Sequence, residues 1–249
     1  AEDGIRDARS SLVGSEMCIR DRETGEGYPG AIRNLDLAIE NNPKNATAWL
    51  WRGITLKDMG YNEQALENFE QCLKIDAGYL NCSQHVAETL LALGRIEEAV
   101  RQFESTIDAN FHSTDDAFVS YYVRAGQRNM ALLLAALAIR NPFAPIKDWI
   151  EAIENPDEDH SARVARFEEW GESFNLGVCD MDAVAIALRQ DQCFPQVVNA
   201  RLMWQPDTAY FRKTDAFKEY VNTHLMGYWQ EHGFPPQCSL LENGDFECD

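Results

Sequence analysis

Long apolar runs are missing from this chain. The longest, Met130 to Ile139, is ten residues, against the roughly 18–20 needed to cross a bilayer. It reads as a buried helix, so membrane insertion by this segment is not expected. Basic charge is scarce as well: 22 Lys and Arg stand against 41 Asp and Glu, a formal charge of -19. No Lys/Arg cluster offsets that field, which repels polyanions and disfavours nucleic acid and anionic membranes as partners. The motifs of common chemistries are also absent. There is no G-x-x-x-x-G-K-[ST], no H-E-x-x-H and no C-x-x-C, so the P-loop and zinc sites lack their usual spacings. No cofactor and no metal is expected.

What remains is ordinary globular material in 249 residues, 45% hydrophobic and 25% charged, enough for a sizeable core. The five histidines (His85, His112, His160, His224 and His232) are scattered. His160 follows Asp157-Glu158-Asp159 and could join a cation site, but a solvated acidic loop is the favoured reading. Glu97-Glu98 and Glu168-Glu169 read as exposed helix carboxylates rather than acid/base pairs. The sequence therefore does not predict an enzyme; a site in residues 146–249 with no recognised motif is the remote alternative.

Self-similarity organises the middle of the chain. Ala65, Phe69 and Cys72 recur at an offset of 34 as Ala99, Phe103 and Thr106, and Gly60 recurs as Gly94. The same shift backwards reaches Ala31, Leu35, Ala38 and Pro43; a fourth set, Gly126, Ala131, Ala135 and Ala138, lies 32 further on. Trp49, Gly53 and Leu56 share one face of a first helix and Ala65, Phe69 and Cys72 one face of a second. Gly60 breaks the chain between them, and Asn42-Pro43 and Asn141-Pro142 end helices. Helices are predicted near Tyr28–Asn41, Ala46–Met59, Asn62–Ile75, Tyr79–Leu93, Ile96–Ala109, Thr114–Ala125 and Asn129–Arg140.

This pattern resembles the tetratricopeptide repeat, with its 34-residue period and W-x2-L-G-x2-Y…A-x3-F…P signature. The resemblance implies an all-α superhelix of stacked helical hairpins over residues 23–145, one repeat partial and three fuller, followed by a helical extension over 146–249. It also implies a concave groove lined by first helices, here by Thr47, Leu50, Ile54 and Lys57, then Asn81, Gln84, Glu88 and Leu91. These do not supply the Lys, Asn and Arg of the family's clamp for a C-terminal carboxylate. A protein or peptide segment of basic or neutral character suits so acidic a molecule. The competing expectation is a groove that is solvated or filled by the chain's own C-terminal helices, with a structural or oligomerising role and homo-oligomers.

Past Pro145 the period fades. Short helices are predicted around Trp149–Ile153, after Ser161, after Asp180 or Asp182, over Phe194–Gln205, and over Asp215–His232. The tail carries Trp204-Gln205-Pro206, Tyr210-Phe211-Arg212, Asp215, Phe217, Tyr228-Trp229, Gly233, Pro235-Pro236, Cys238 and Phe246-Glu247-Cys248-Asp249. It resembles the closing segment of bacterial signalling proteins that end in tetratricopeptide repeats and begin with a winged-helix or an adenylate-cyclase-like domain, often with one membrane helix between. Arg212-Lys213-Thr214-Asp215-Ala216-Phe217 departs from that group's Arg-x-Asp-Pro-x-Phe run. The resemblance implies a sensory or scaffolding part of a larger regulator.

Residues 3–22 resemble a translated sequencing-adapter read-through, so 1–22 is expected to be foreign; the competing reading is an amphipathic helix. Residues 3–22 balance four basic against four acidic residues. They hold Cys18, leaving six cysteines without it. On a 34-residue register, Ser15, Cys18 and Ile19 fall where the repeat wants Trp, Leu and Gly, which points the same way and to a chain continuing upstream. Cys238 and Cys248 bracket a Gly-containing loop and either form a disulfide that pins the tail or remain free thiols. The first outcome, with a membrane helix upstream, implies a periplasm-like compartment, the second the cytoplasm. Cys72 and Cys82 could pair, but Cys72 sits at a core position and reads as simply buried.

Overall fold

The computed structural model describes residues 27–108 and 211–249 and, between them, 118, 121–122, 125–137 and positions 155, 158, 203–206 and 209. The expectations for residues 1–22, for the helices around Trp149 and after Ser161 and Asp180, for Asn141-Pro142, and for His160 and Glu168-Glu169 lie outside the described residues. The chain divides into two compact units. The first gathers the described residues up to Thr106 with Phe211–Asp249; the second runs from Ile107 to Tyr210.

Five helices follow one another from the first described residue: α1 (Gly27–Asn41), α2 (Ala46–Asp58), α3 (Asn62–Ile75), α4 (Leu80–Ala92) and α5 (Ile96–Asp108). Each agrees with its predicted span within a residue or two. α1 stops ahead of Pro43, and the side chain of Asn45 caps α2 by accepting from the Ala48 N–H. α2 ends in a Schellman turn: Gly60 holds φ 93°, its N–H donates to Lys57 O, and the Tyr61 N–H donates to Leu56 O. One period later Gly94 repeats the device, with its own N–H on Leu91 O and the Arg95 N–H on Leu90 O. The 34-residue glycine offset is thus a helix-stop offset.

Consecutive helices pack as antiparallel neighbours around Ala31, Leu35, Leu50, Leu56, Ala65, Phe69, Val86, Ala87, Leu90, Ala99 and Phe103, all buried. Gly53 shows why alanine is too large at the α2–α3 crossing. A Cβ built there lies 2.5 Å from the Phe69 ring, so the ring occupies the space a side chain would take. Phe69 then stacks on His85 of α4, ring centroids 5.1 Å apart.

In the first unit the chain resumes with a 3-10 turn (Phe211–Lys213), α7 (Asp215–His224) and α8 (Met226–His232), then a β-hairpin. Thr214 caps α7 by accepting from the Phe217 N–H. The single helix predicted over Asp215–His232 is broken at Leu225. The Thr223 hydroxyl donates back to Glu219 O, a competing bond that bends helices, and the break lets Leu225 and Trp229 both bury completely. The hairpin pairs β1 (Cys238–Leu240) with β2 (Phe246–Cys248) in antiparallel register, Cys238 opposite Cys248. It is a small addition to an otherwise helical fold.

In the second unit, α6 (Arg128–Leu137) follows a turn at Gly126, where the Gln127 N–H donates to Tyr122 O. This is the same stop as at Gly60 and Gly94, near the register the fourth repeat predicts. Phe118, Tyr122, Ala131 and Leu134 are buried. The helix predicted to run to Gln205 is already turn at Met203–Gln205, because the residue before Pro206 avoids the α region.

Candidate protein-interaction groove

The predicted groove residues fall on two helices, Thr47, Leu50, Ile54 and Lys57 on α2 and Asn81, Gln84, Glu88 and Leu91 on α4. A central polar cluster joins the two. The Lys57 ammonium donates to Glu88 Oε2 at 2.6 Å, with both side chains at most 2% exposed. Gln84 Nε2 donates to the other carboxylate oxygen at 3.0 Å. His85 Nδ1 lies 3.1 Å from Glu88 Oε2 and 3.3 Å from Lys57 Nζ. Burying either charge alone is costly; pairing with added hydrogen bonds offsets that cost and fixes how α2 sits on α4. At the N-terminal end of the pair, Thr47 Oγ1 lies 3.4 Å from the Tyr79 hydroxyl.

Accessibility separates the eight positions. Leu50, Lys57, Gln84, Glu88 and Leu91 are buried, Thr47 and Ile54 are half-buried, and Asn81 is exposed. His85 joins the cluster although the periodicity did not single it out; its signal was adjacency, one residue from Gln84 and three from Glu88. Glu97 and Glu98 are exposed, and Glu98 takes a two-pronged contact from Arg95, at 2.9 and 2.7 Å, that holds its carboxyl below the usual range. Among the described residues no group of three His, Cys, Asp or Glu side chains is placed to hold a metal ion. No described helix is long and apolar enough to cross a membrane.

A second feature of the first unit is the seat of the C-terminal segment. The Trp229 indole N–H donates to Met59 O at 3.1 Å, Gln237 Nε2 to Gly60 O at 2.8 Å, and the Tyr61 hydroxyl to Gly233 O at 2.6 Å. Helix ends leave carbonyls without intrahelical donors; here the segment supplies two donors to the turn that closes α2. Tyr61 also meets Tyr228 edge-on, ring centroids 5.8 Å apart, and Tyr28 and Tyr220 share a hydrogen bond of 2.6 Å. Burial, then the nearby Tyr228, pushes the Tyr61 hydroxyl well above its ordinary pKa. Burial raises Tyr228 too.

Behind this contact Trp229, Phe234, Phe217 and Phe246 form one aromatic cluster, with Phe246 edge-on to Trp229 at 5.8 Å. Arg212 donates to Asp249 O, Lys213 to Cys248 O, and Lys218 pairs with Asp245, fastening the hairpin to the 3-10 turn and α7. Burial lowers the Arg212 guanidinium to about 10 against the pull of Asp249. Cys238 and Cys248 are joined by a disulfide, Cα atoms 4.0 Å apart. Cys72 and Cys82 are joined as well, Cα atoms 6.3 Å apart, where the sequence reading left Cys72 buried but unpaired. It is fully buried, and the pairing arises because the short Asp76–Tyr79 connection brings the end of α3 against the start of α4.

A stack of helical hairpins with a 34-residue period and a helix-stopping glycine in each places the chain among helical-repeat proteins. Residues 46–79, the α2–α3 hairpin and its connection to α4, match the tetratricopeptide repeat family. The chain therefore carries a tetratricopeptide repeat, a fold that serves generally as a non-catalytic scaffold for protein partners. A stretch of 87 residues, 34% of this chain, is 33% identical to the probable UDP-N-acetylglucosamine–peptide N-acetylglucosaminyltransferase SPINDLY of Solanum lycopersicum. The matched stretch spans 9% of that protein's length, so the activity in its name stays with that protein.

Proposed function

We propose that the chain is a non-catalytic protein-interaction module, the sensory or scaffolding C-terminal part of a larger bacterial signalling or transcription-regulatory protein. The observation that carries this reading is the α2–α4 pair, locked by Lys57 and Glu88 and still offering Asn81, Thr47 and Ile54 at its accessible rim. The net charge of -19 favours a basic or neutral partner segment. The bacterial-regulator setting rests on the tail residues, from Trp204-Gln205-Pro206 to Phe246-Glu247-Cys248-Asp249, that resemble those proteins. A photo-crosslinker at Asn81, with one at exposed Glu104 as control, tests the reading in the full chain. Protein capture from Asn81 and not from Glu104 supports it; equal capture from both overturns it.

A structural role with a self-occupied groove is the second reading. It is favoured by the burial of Leu50, Lys57, Gln84, Glu88 and Leu91 in the chain on its own. Light scattering separates the two: a concentration-dependent dimer whose crosslinks from Asn81 fall only within or between copies of the chain favours the structural role.

A further inference from the structure

The two disulfides of the first unit differ in what holds them. Cys72 and Cys82 are completely buried between α3 and α4, inside the helical array. Cys238 and Cys248 close a hairpin of two three-residue strands, and Cys238 keeps 8% of its surface exposed. An isolated two-stranded hairpin is marginal in water, so the bond adds to the ties from Arg212, Lys213 and Lys218 in holding this one closed. Opening the hairpin requires little unfolding, whereas exposing Cys72 and Cys82 requires separating two packed helices.

The hairpin bond also stands next to the contacts that seat the C-terminal segment. Gln237, whose amide donates to Gly60 O, directly precedes Cys238. The Asp249 N–H donates to Gln237 O, so the paired strands hold Gln237 from both sides of the bond. Phe246, opposite Leu240 in the register, packs on Trp229, whose indole donates to Met59 O. One route runs from the disulfide through Gln237 and the other through Phe246 and Trp229, and both end on the turn between α2 and α3. The ties from Arg212 and Lys213 to Asp249 and Cys248 join β2 to residues 211–213 and not to the repeat.

We propose that Cys238–Cys248 is a redox-sensitive latch: a dithiol reductant opens it ahead of Cys72–Cys82 and thereby releases residues 225–249 from the Met59–Tyr61 turn. In the reaction a thiolate of the dithiol attacks Sγ of Cys238, the more exposed of the two residues, and displaces Cys248 as thiolate. The second thiol of the reductant then attacks the mixed disulfide and displaces Cys238. The protein S–S bond breaks, a disulfide forms in the reductant, and two electrons and two protons end on the cysteines. A disulfide oxidant runs the exchange backwards. The switch is independent of whether the groove binds a partner, and its test reads the seat of the tail.

The experiment is a dithiothreitol titration of the oxidised full chain, followed by pulsed alkylation with peptide mapping and by hydrogen exchange of the 59–62 backbone. Cys238 and Cys248 are expected to be alkylated at about tenfold lower reductant than Cys72 and Cys82, and protection at 59–62 to fall with the same midpoint. The Cys238→Ser/Cys248→Ser variant shows the low protection without reductant while its helical circular dichroism persists. Reduction of Cys72–Cys82 first or together with the hairpin overturns the proposal. So does unchanged protection at 59–62 once Cys238 and Cys248 are fully reduced in the wild-type chain.

Discussion

The indole nitrogen of Trp229 lies 3.1 Å from the carbonyl oxygen of Met59, across 170 residues of sequence. Both residues are completely buried. The bond satisfies a carbonyl at the end of α2 and marks where the C-terminal segment meets the repeat. Trp229→Phe keeps the ring but leaves that buried carbonyl without its indole donor, at an expected cost of about 1–3 kcal/mol. Trp229→Ala removes the centre of the aromatic cluster as well and costs about 3–5 kcal/mol. Urea unfolding monitored by circular dichroism reads both, and equal losses for the two variants would contradict the packing role.

Gly53 and Phe69 form the tightest crossing of the repeat, since a Cβ at 53 meets the ring at 2.5 Å. Gly53→Ala gains up to about 1 kcal/mol of helix propensity, yet overpacking costs about 1–3 kcal/mol, so a net destabilisation is expected. Phe69→Leu in the Gly53→Ala background restores part of it. Thermal denaturation of the single and double variants checks the sign, and additive losses would rule out the steric account.

The buried pair of Lys57 and Glu88 responds differently to one substitution and to two. Lys57→Met takes the ammonium away from a buried carboxylate and is expected to cost about 3–5 kcal/mol. Lys57→Met with Glu88→Leu removes both charges and is expected to recover most of the loss. Gln84 and His85 also contact Glu88, so recovery is incomplete. A denaturant-unfolding double-mutant cycle measures the coupling; zero coupling would mean the pair does not join α2 to α4 energetically.

Tyr61 and Tyr228 tie stability to alkaline pH. Burial raises both hydroxyls above the ordinary tyrosine value of about 10. The folded state therefore keeps protons that the unfolded chain gives up, and more so as pH climbs. Their contribution is complete below about pH 10 and declines as pH rises from there toward the folded values. Tyr61→Phe is expected to flatten that decline. Absorbance at the phenolate band, followed through the titration, should show a fraction of the eight tyrosines ionising late. A single ordinary titration of all of them would contradict the burial.

The repeat was readable because local rules repeat in it. The glycine offset of 34 reports a Schellman stop at Gly60 and again at Gly94, and the Ala65, Phe69 and Cys72 spacing reports one helix face. α3 was therefore legible to the residue. The break at Leu225 was not, because a continuous apolar stripe from Phe217 to Tyr228 reads as one helix until the Thr223 back-bond and the seat of Trp229 are known. The hairpin was visible only as two cysteines around a Gly-containing loop, since three-residue strands are too short to show alternation. The eight expected groove residues could be placed on α2 and α4 from spacing, but their accessibility could not. Burial of Lys57 and Glu88 is a tertiary outcome that helical spacing does not encode. Likewise the donors to Met59 O and Gly60 O are long-range partners with no local sequence signature.

The C-terminal segment is seated on the repeat through the turn that ends α2. The most direct measurement is hydrogen exchange of the Trp229 indole N–H by nuclear magnetic resonance in the 15N-labelled full chain, assigned with Trp229→Phe. Seated against Met59 O, that proton is expected to exchange at least ~100-fold more slowly than a free indole. Exchange at the free-indole rate in the oxidised, folded chain would contradict the claim.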